Sequence, residues 1–84
     1  MDTETEIWFA ILHERQKQDR KWGGPEHDDT HVPVHWNRII QHYSELAIGA
    51  IFVDENPADY RRHLIQVAAL AVAAIQSHDR KQQE

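Results

Sequence analysis

The chain has no cysteine, only three glycines and three prolines, and no apolar run longer than nine residues; each shortage closes off a class of structure. Without cysteine there are no disulfides, no thiolate zinc site and no nucleophilic thiol, and the redox compartment stays open. The longest apolar run, VAALAVAAI at 67–75, falls far short of the roughly 20 residues that span a bilayer, so a membrane is not an expected partner. No secretory n-region or h-region is evident, which makes the cytoplasm the expected location. Cations are also scarce: 9 Lys and Arg stand against 14 Asp and Glu, and the net charge of −5 excludes nucleic-acid binding by bulk charge. Seven His would offset that charge below about pH 6.5. Neither a Gly-rich phosphate loop nor a Ser-His-Asp order is present.

Eighty-four residues make a single helical domain, 1–84, that buries only about two-thirds of its unfolded surface. With disulfides excluded, a metal or a partner subunit is left to stabilise so small a core.

What is present reads as three helices. The first, 4–22, opens on Thr3-Glu4-Thr5-Glu6, a capping box in which Thr3 and Glu6 satisfy each other's backbone N–H. Trp8, Ile11, Leu12, Arg15, Asp19 and Trp22 follow at steps of three and four, and from Arg15 onward that face carries charge. Gly23-Gly24-Pro25 ends the helix and begins a loop over 23–32. The second, 33–53, starts at Pro33, suited to a first helical position because it has no N–H to satisfy. Its apolar stripe is Trp36, Ile39, Ile40, Tyr43, Leu46, Ala47, Ala50 and Ile51, and a separate polar line carries His35, Arg38, His42, Glu45 and Gly49. Asn56-Pro57-Ala58-Asp59 is the clearest start signal in the chain and predicts a third helix over 57–80, followed by a polar, disordered tail at 81–84. The centre of that helix, Val67 to Ile75, is apolar on every side, and a helix apolar all round is buried all round. Two shorter helices cannot enclose it. The expected architecture is therefore an all-α, three-helix chain that assembles as a helical-bundle homo-oligomer, a dimer or a tetramer.

Two groups of residues could carry chemistry. KWGGPEHDDTH, 21–31, places His27, Asp28, Asp29 and His31 together, with His35 four residues further on. Three of these side chains could wrap a zinc or nickel ion. Equally, they are ordinary loop residues that order the connection by hydrogen bonds, or touch a ligand directly. The second group is His42 and Glu45 on helix two with His63 and Gln66 on helix three, each pair three residues apart. If the two helices pair antiparallel, these four face one another across a groove, as in helical-bundle metal sites. One carboxylate, two imidazoles and an amide suit zinc or another transition metal better than magnesium, or simply make a hydrogen-bonded boundary. Arg15, Lys21, Arg38, Arg61 and Arg62 are the cations available for phosphate. Arg15 and Asp19, four apart, either make a solvated helix end or are drawn partly inside to orient Trp22 or a ligand. Trp8, Trp22 and Trp36 read as core or interface anchors, with Trp22, beside two glycines, the most open to a base.

The segment Glu14-Arg15-x-x-Gln18-Asp19-x-Lys21-Trp22-Gly23, the His/Asp loop, the Trp-led helix and Leu64-x-x-Val67-Ala68-Ala69-x-Ala71-Val72-Ala73 together resemble small phage and prophage proteins of the MazG-like type. These belong to the all-α nucleoside triphosphate pyrophosphohydrolase superfamily, and the resemblance runs over about residues 10 to 80. It implies a helical dimer or tetramer that holds Mg²⁺ through an E-E-x-x-E motif and an E-x-x-D motif and cleaves NTP to NMP and pyrophosphate. By position those motifs fall on Gln41-His42-x-x-Glu45 and His63-x-x-Gln66, where only Glu45 keeps its carboxylate. A lone carboxylate cannot supply the negative ligands that Mg²⁺ beside a triphosphate needs.

The first expectation is thus a nucleotide or nucleotide-derived ligand held between helices two and three. Lys21, Arg38, Arg61 and Arg62 would hold its phosphates, Trp22 its base, and Gln66 would complete the site. If it is catalytic, Glu45, His42 and His63 would hold a divalent metal (Mg²⁺, Zn²⁺ or Mn²⁺) that activates water for pyrophosphohydrolysis; otherwise the chain sequesters its ligand. A second expectation is a phage-type protein that binds and modulates a host protein, and a third is a metal site in the loop.

Overall fold

Asn56 does what its position in the sequence predicts: its side-chain Oδ1 accepts from the Asp59 backbone N–H at 3.1 Å and caps the longest helix. The computed structural model describes residues 3–83. Among them it shows four helices and no strand: α1 (Thr3–Trp22), α2 (Gly24–Asp28), α3 (Pro33–Phe52) and α4 (Pro57–Gln82). Residues 1, 2 and 84 of the expected domain lie outside the described residues, and the capping box at Thr3 falls on that border.

Helix α4, 26 residues or roughly 39 Å at 1.5 Å per residue, is the element on which the others pack. Helices α1, α2 and α3 each pack on it, while the backbones of α1 and α3 stand apart, with no Cα pair within 8 Å. The four-residue turn that joins α3 to α4 is closed by backbone bonds from Val53 and Asp54 to the Gly49 carbonyl and from Asn56 to the Ala50 carbonyl. Glu55 takes the left-handed conformation there, at φ 49°. A turn this short makes α3 and α4 an antiparallel pair. Because α3 packs on α4 alone, its buried Ala47 and Ala50 face α4, whose own buried line is Ala69, Leu70, Ala73 and Ser77. Trp36, Leu70 and Ala73 form the core, with Trp22, Ile39, Ile40, Tyr43 and Ala74 packed around them.

Two points differ from the sequence expectation. The loop over 23–32 contains a fourth helix, the short α2. The third expected helix does not stop at Arg80: Lys81 and Gln82 remain helical, because cations at a helix C-terminus are favoured and Arg80 and Lys81 both bind the 23–32 segment. Within the apolar centre of α4, Ala69, Leu70 and Ala73 are buried, Val67, Ala68, Ala71, Val72 and Ala74 are half-buried, and Ile75 is 59 % exposed. No helix among the described residues is long and apolar enough to cross a membrane.

Candidate functional site

Past Leu12 the inner face of α1 turns polar. Ile11, Arg15 and Gln18, at steps of four and three, are all buried, so the stripe that begins as core ends as a guanidinium and an amide. Arg15 places Nη1 3.2 Å from Asp19 Oδ1, and its Nη2 donates to Gln76 Oε1 on α4 at 3.4 Å.

The chain then turns sharply. Gly23 and Gly24 both have positive φ, at 110° and 70°, which side chains resist and glycine adopts freely. Pro25 starts α2, whose single turn presents Asp28 inward, 7 % exposed, to Arg15. Arg15 Nη2 stands 3.7 Å from Asp28 Oδ2, close enough for attraction and too far for a hydrogen bond. The segment is pinned to α4 from its other side. Asp29 accepts from Ser77 Oγ at 2.7 Å and from Arg80 Nη2 at 2.7 Å, and Lys81 Nζ donates to the His31 carbonyl at 3.0 Å.

Because α1 and α3 stand apart on α4, a cleft of about 420 Å³ lies between them. Trp22, Trp36, Ile39, Tyr43, Leu70 and Ala73 make its apolar surface, and Arg15, Gln18 and Asp28 its buried polar wall. Exposed Arg38, His42 and His27 stand at the mouth. The His31 ring meets Trp36 edge-on, 4.9 Å between centroids, and His27 at 5.0 Å.

The electrostatics follow from this packing. Burial raises the Asp28 carboxyl above its ordinary range, and the Arg15 charge opposes that rise without cancelling it. Asp29, far from α4 in sequence but bonded to it in space, is held down to about 2 by its hydrogen bonds from Arg80 and Ser77. Burial, then the neighbouring His27, lowers His31.

Among the described residues, two buried side-chain atoms have no hydrogen-bond partner: Gln18 Oε1, and Asp28 Oδ2, which faces Arg15 Nη2 at 3.7 Å. The Gln18 amide is not free to turn over. Its Nε2 donates to Glu14 Oε2 at 3.2 Å, and a carboxylate oxygen would repel the amide oxygen in that place.

Of the residues expected to form the site, the cleft gathers Trp22, Arg38 and His42 with His27, Asp28 and His31 of the loop. Lys21 is exposed, with Nζ 5.2 Å from the centre of the Trp22 ring, where a cation is attracted to the ring face. Arg61 and Arg62 are exposed near the start of α4, and Arg62 pairs with Asp59 at 3.3 Å. Glu45 is exposed and accepts from Gln41 Nε2 at 3.3 Å. His63 Nδ1 and Gln66 Oε1 are 2.7 Å apart, a hydrogen bond between neighbouring turns of α4. None of Glu45, His63 and Gln66 lines the cleft.

Among the described residues, no three His, Asp or Glu side chains gather so that one ion could join them. Glu45, His42 and His63 offer a single carboxylate, a donor set that does not fit the Mg²⁺ chemistry of MazG-like enzymes. In the loop, Asp29 bonds to Ser77 and Arg80, and Asp28 faces Arg15. Gln18 and Ser77 carry interactions that sequence reasoning did not single out. Gln18 shares the Ile11–Arg15 stripe, which is a readable signal, whereas Ser77 has none. No protein-family model matches this chain, and no curated protein and no solved structure matches it.

Proposed function

We propose that this protein binds a nucleotide or nucleotide-derived ligand in the cleft between α1 and α3, as a MazG-like homo-oligomer that sequesters the ligand rather than hydrolysing it. The observation that carries this reading is the cleft itself. Its volume of about 420 Å³ suits a small ligand, and its aromatic and aliphatic surface surrounds a few converging polar groups. Trp22, Trp36 and Tyr43 offer faces for a base, and Arg38 at the mouth offers a cation for phosphate. The loss of four of five acids at 41, 42, 63 and 66 favours binding over turnover. A panel of NTPs tests this with Mg²⁺, Mn²⁺ or Zn²⁺, followed by thermal shift and by pyrophosphate release. Stabilisation without release is the expected result. Release lost in Glu45→Ala would restore the hydrolase reading, and no stabilisation by any nucleotide would end the binding reading.

A second reading rests on a different surface. Trp8, Phe9 and Leu12 on α1 are each more than half exposed, as is Ile75 on α4. Large apolar side chains gathered on one protein in this number mark contact surfaces. In the main reading a second copy covers them. In the alternative, a host protein does, and a stable complex with no nucleotide effect would favour it.

A further inference from the structure

We infer that the cleft recognises its nucleotide through one phosphate, held at the mouth by Arg38 and His42 without a metal ion, so that the monophosphate suffices. The inference deepens the nucleotide reading and rests on it. The charges that face the cleft carry it. Apart from the imidazoles, the ionisable residues lining the cleft that bear full charge are Arg15, Asp28 and Arg38. Arg15 and Asp28 are buried and face each other, so at the wall their charges offset. Arg38 is left over. Arg15, Arg62 and Arg80 each pair with a carboxylate, whereas Arg38, among the described residues, has neither an ion pair nor a hydrogen bond. Its neighbours one turn away on α3 are Val34, His35, Gln41 and His42, and none of them is acidic. His42 is the one that also lines the cleft, about 5–6 Å from Arg38 at Cβ. An imidazole brings an N–H donor whether or not it is charged, so the two side chains together offer an anion a guanidinium and a second donor.

The supply of cations then sets how much phosphate the site can take. One guanidinium and one imidazole match a phosphate monoester, whose charge is roughly −1.5 to −2. A triphosphate carries about twice that charge, and sites that use it place Mg²⁺, held by carboxylates, against it. The mouth offers no carboxylate: Asp28 lies inside, and Glu45 is on α3 but does not line the cleft. Among the described residues, no three His, Asp or Glu side chains gather to hold an ion there or elsewhere. The second and third phosphates would therefore reach into solvent beside a chain of net charge −5 and add no affinity. The rest of the cleft is apolar and takes the uncharged part of the ligand.

Calorimetric titration of the native protein with each ribonucleoside, its 5′-monophosphate and its 5′-triphosphate, with and without Mg²⁺, tests this. The monophosphate should bind about tenfold more tightly than its nucleoside, as charge-assisted bonds to one phosphate imply. The triphosphate should come within about threefold of the monophosphate, and Mg²⁺ should tighten neither. Arg38→Gln should bring the monophosphate down about tenfold, to the level of its nucleoside, and leave the nucleoside unchanged. Because Arg38 is exposed and unpaired, that variant should keep its fold, which circular dichroism checks. Arg20→Gln removes the same charge from an exposed position outside the cleft, and it should change neither ligand, which separates contact at Arg38 from net charge. A triphosphate that binds tenfold or more tighter than the monophosphate once Mg²⁺ is added overturns the single-phosphate assignment and leaves the nucleotide reading in place. A monophosphate no tighter than its nucleoside does the same. No binding of any nucleoside or nucleotide overturns both.

Discussion

Asp29 and Arg80 are 51 residues apart in sequence and 2.7 Å apart in space. That contact, with Ser77 donating to the same carboxylate, fastens the 23–31 segment to the last turns of α4 and so fixes one wall of the cleft. Asp29→Ala should leave α1, α3 and α4 formed and release the segment. Hydrogen exchange is the measure: the Thr30 and His31 amides, which bond to the His27 and Asp28 carbonyls, should exchange about tenfold faster or more. Unchanged exchange would show that the ion pair is not the anchor.

Acid should loosen the same segment in two steps. His31 is held below its ordinary 6.5, so the unfolded chain takes up a proton first, and stability is lost as pH falls below 6.5. Asp29 is depressed from 3.8 to about 2, so its contribution is fully present above 3.8 and is lost as pH falls toward 2. Asp28 runs the other way, because its raised value favours the folded state in acid and costs stability as pH rises through it. Melting temperature followed from pH 7 to 2 should therefore fall first below pH 6.5, and His31→Gln should remove that first fall.

Gly23 has φ 110°, and an added Cβ would stand 3.4 Å from His27 Cβ. Contact at that distance is tolerable; the backbone angle is not. Gly23→Ala should destabilise by about 1–2 kcal/mol, read by urea unfolding. No loss of stability would mean that α1 and α2 meet at another angle in solution.

The parts of the fold that were legible are those decided within a few residues. The Asn56 cap, Pro33 at the start of α3 and the stop at Gly23-Gly24 are local chemistry, and local chemistry is written in order along the chain. The α2 turn was hidden because Gly-Gly-Pro reads as a breaker, although Pro25 also suits a first helical turn. Arg15 was visible as a charge on an apolar face, but what buries it, Gln76 and Asp28, comes from two other elements. The cleft between α1 and α3 was not legible, because it arises where the α1 backbone packs on α4 and α2 and stands apart from α3. A cavity between α3 and α4 is also present, but it is lined by Trp36, Ile40, Ala74 and Ser77 and not by Glu45 or His63.

The exposed apolar side chains of α1 and α4, among them Trp8, Phe9, Leu12 and Ile75, should be covered by another copy. Sedimentation should give a dimer or tetramer, and Phe9→Glu or Ile75→Glu, each placing a charge on an exposed apolar site, should shift it toward the single chain without loss of helix. A native protein that sediments as a stable single chain would contradict the assembly.

The three tryptophans test the cleft most directly, since Trp22 and Trp36 line it and Trp8, on the exposed start of α1, does not. In a titration with nucleoside triphosphates added one at a time, followed by the indole N–H resonances, Trp22 and Trp36 should move together and saturate at a common concentration while Trp8 stays fixed. Saturable movement of Trp8 alone, or no saturable movement of Trp22 and Trp36 with any nucleotide, would contradict the placement of a ligand between α1 and α3.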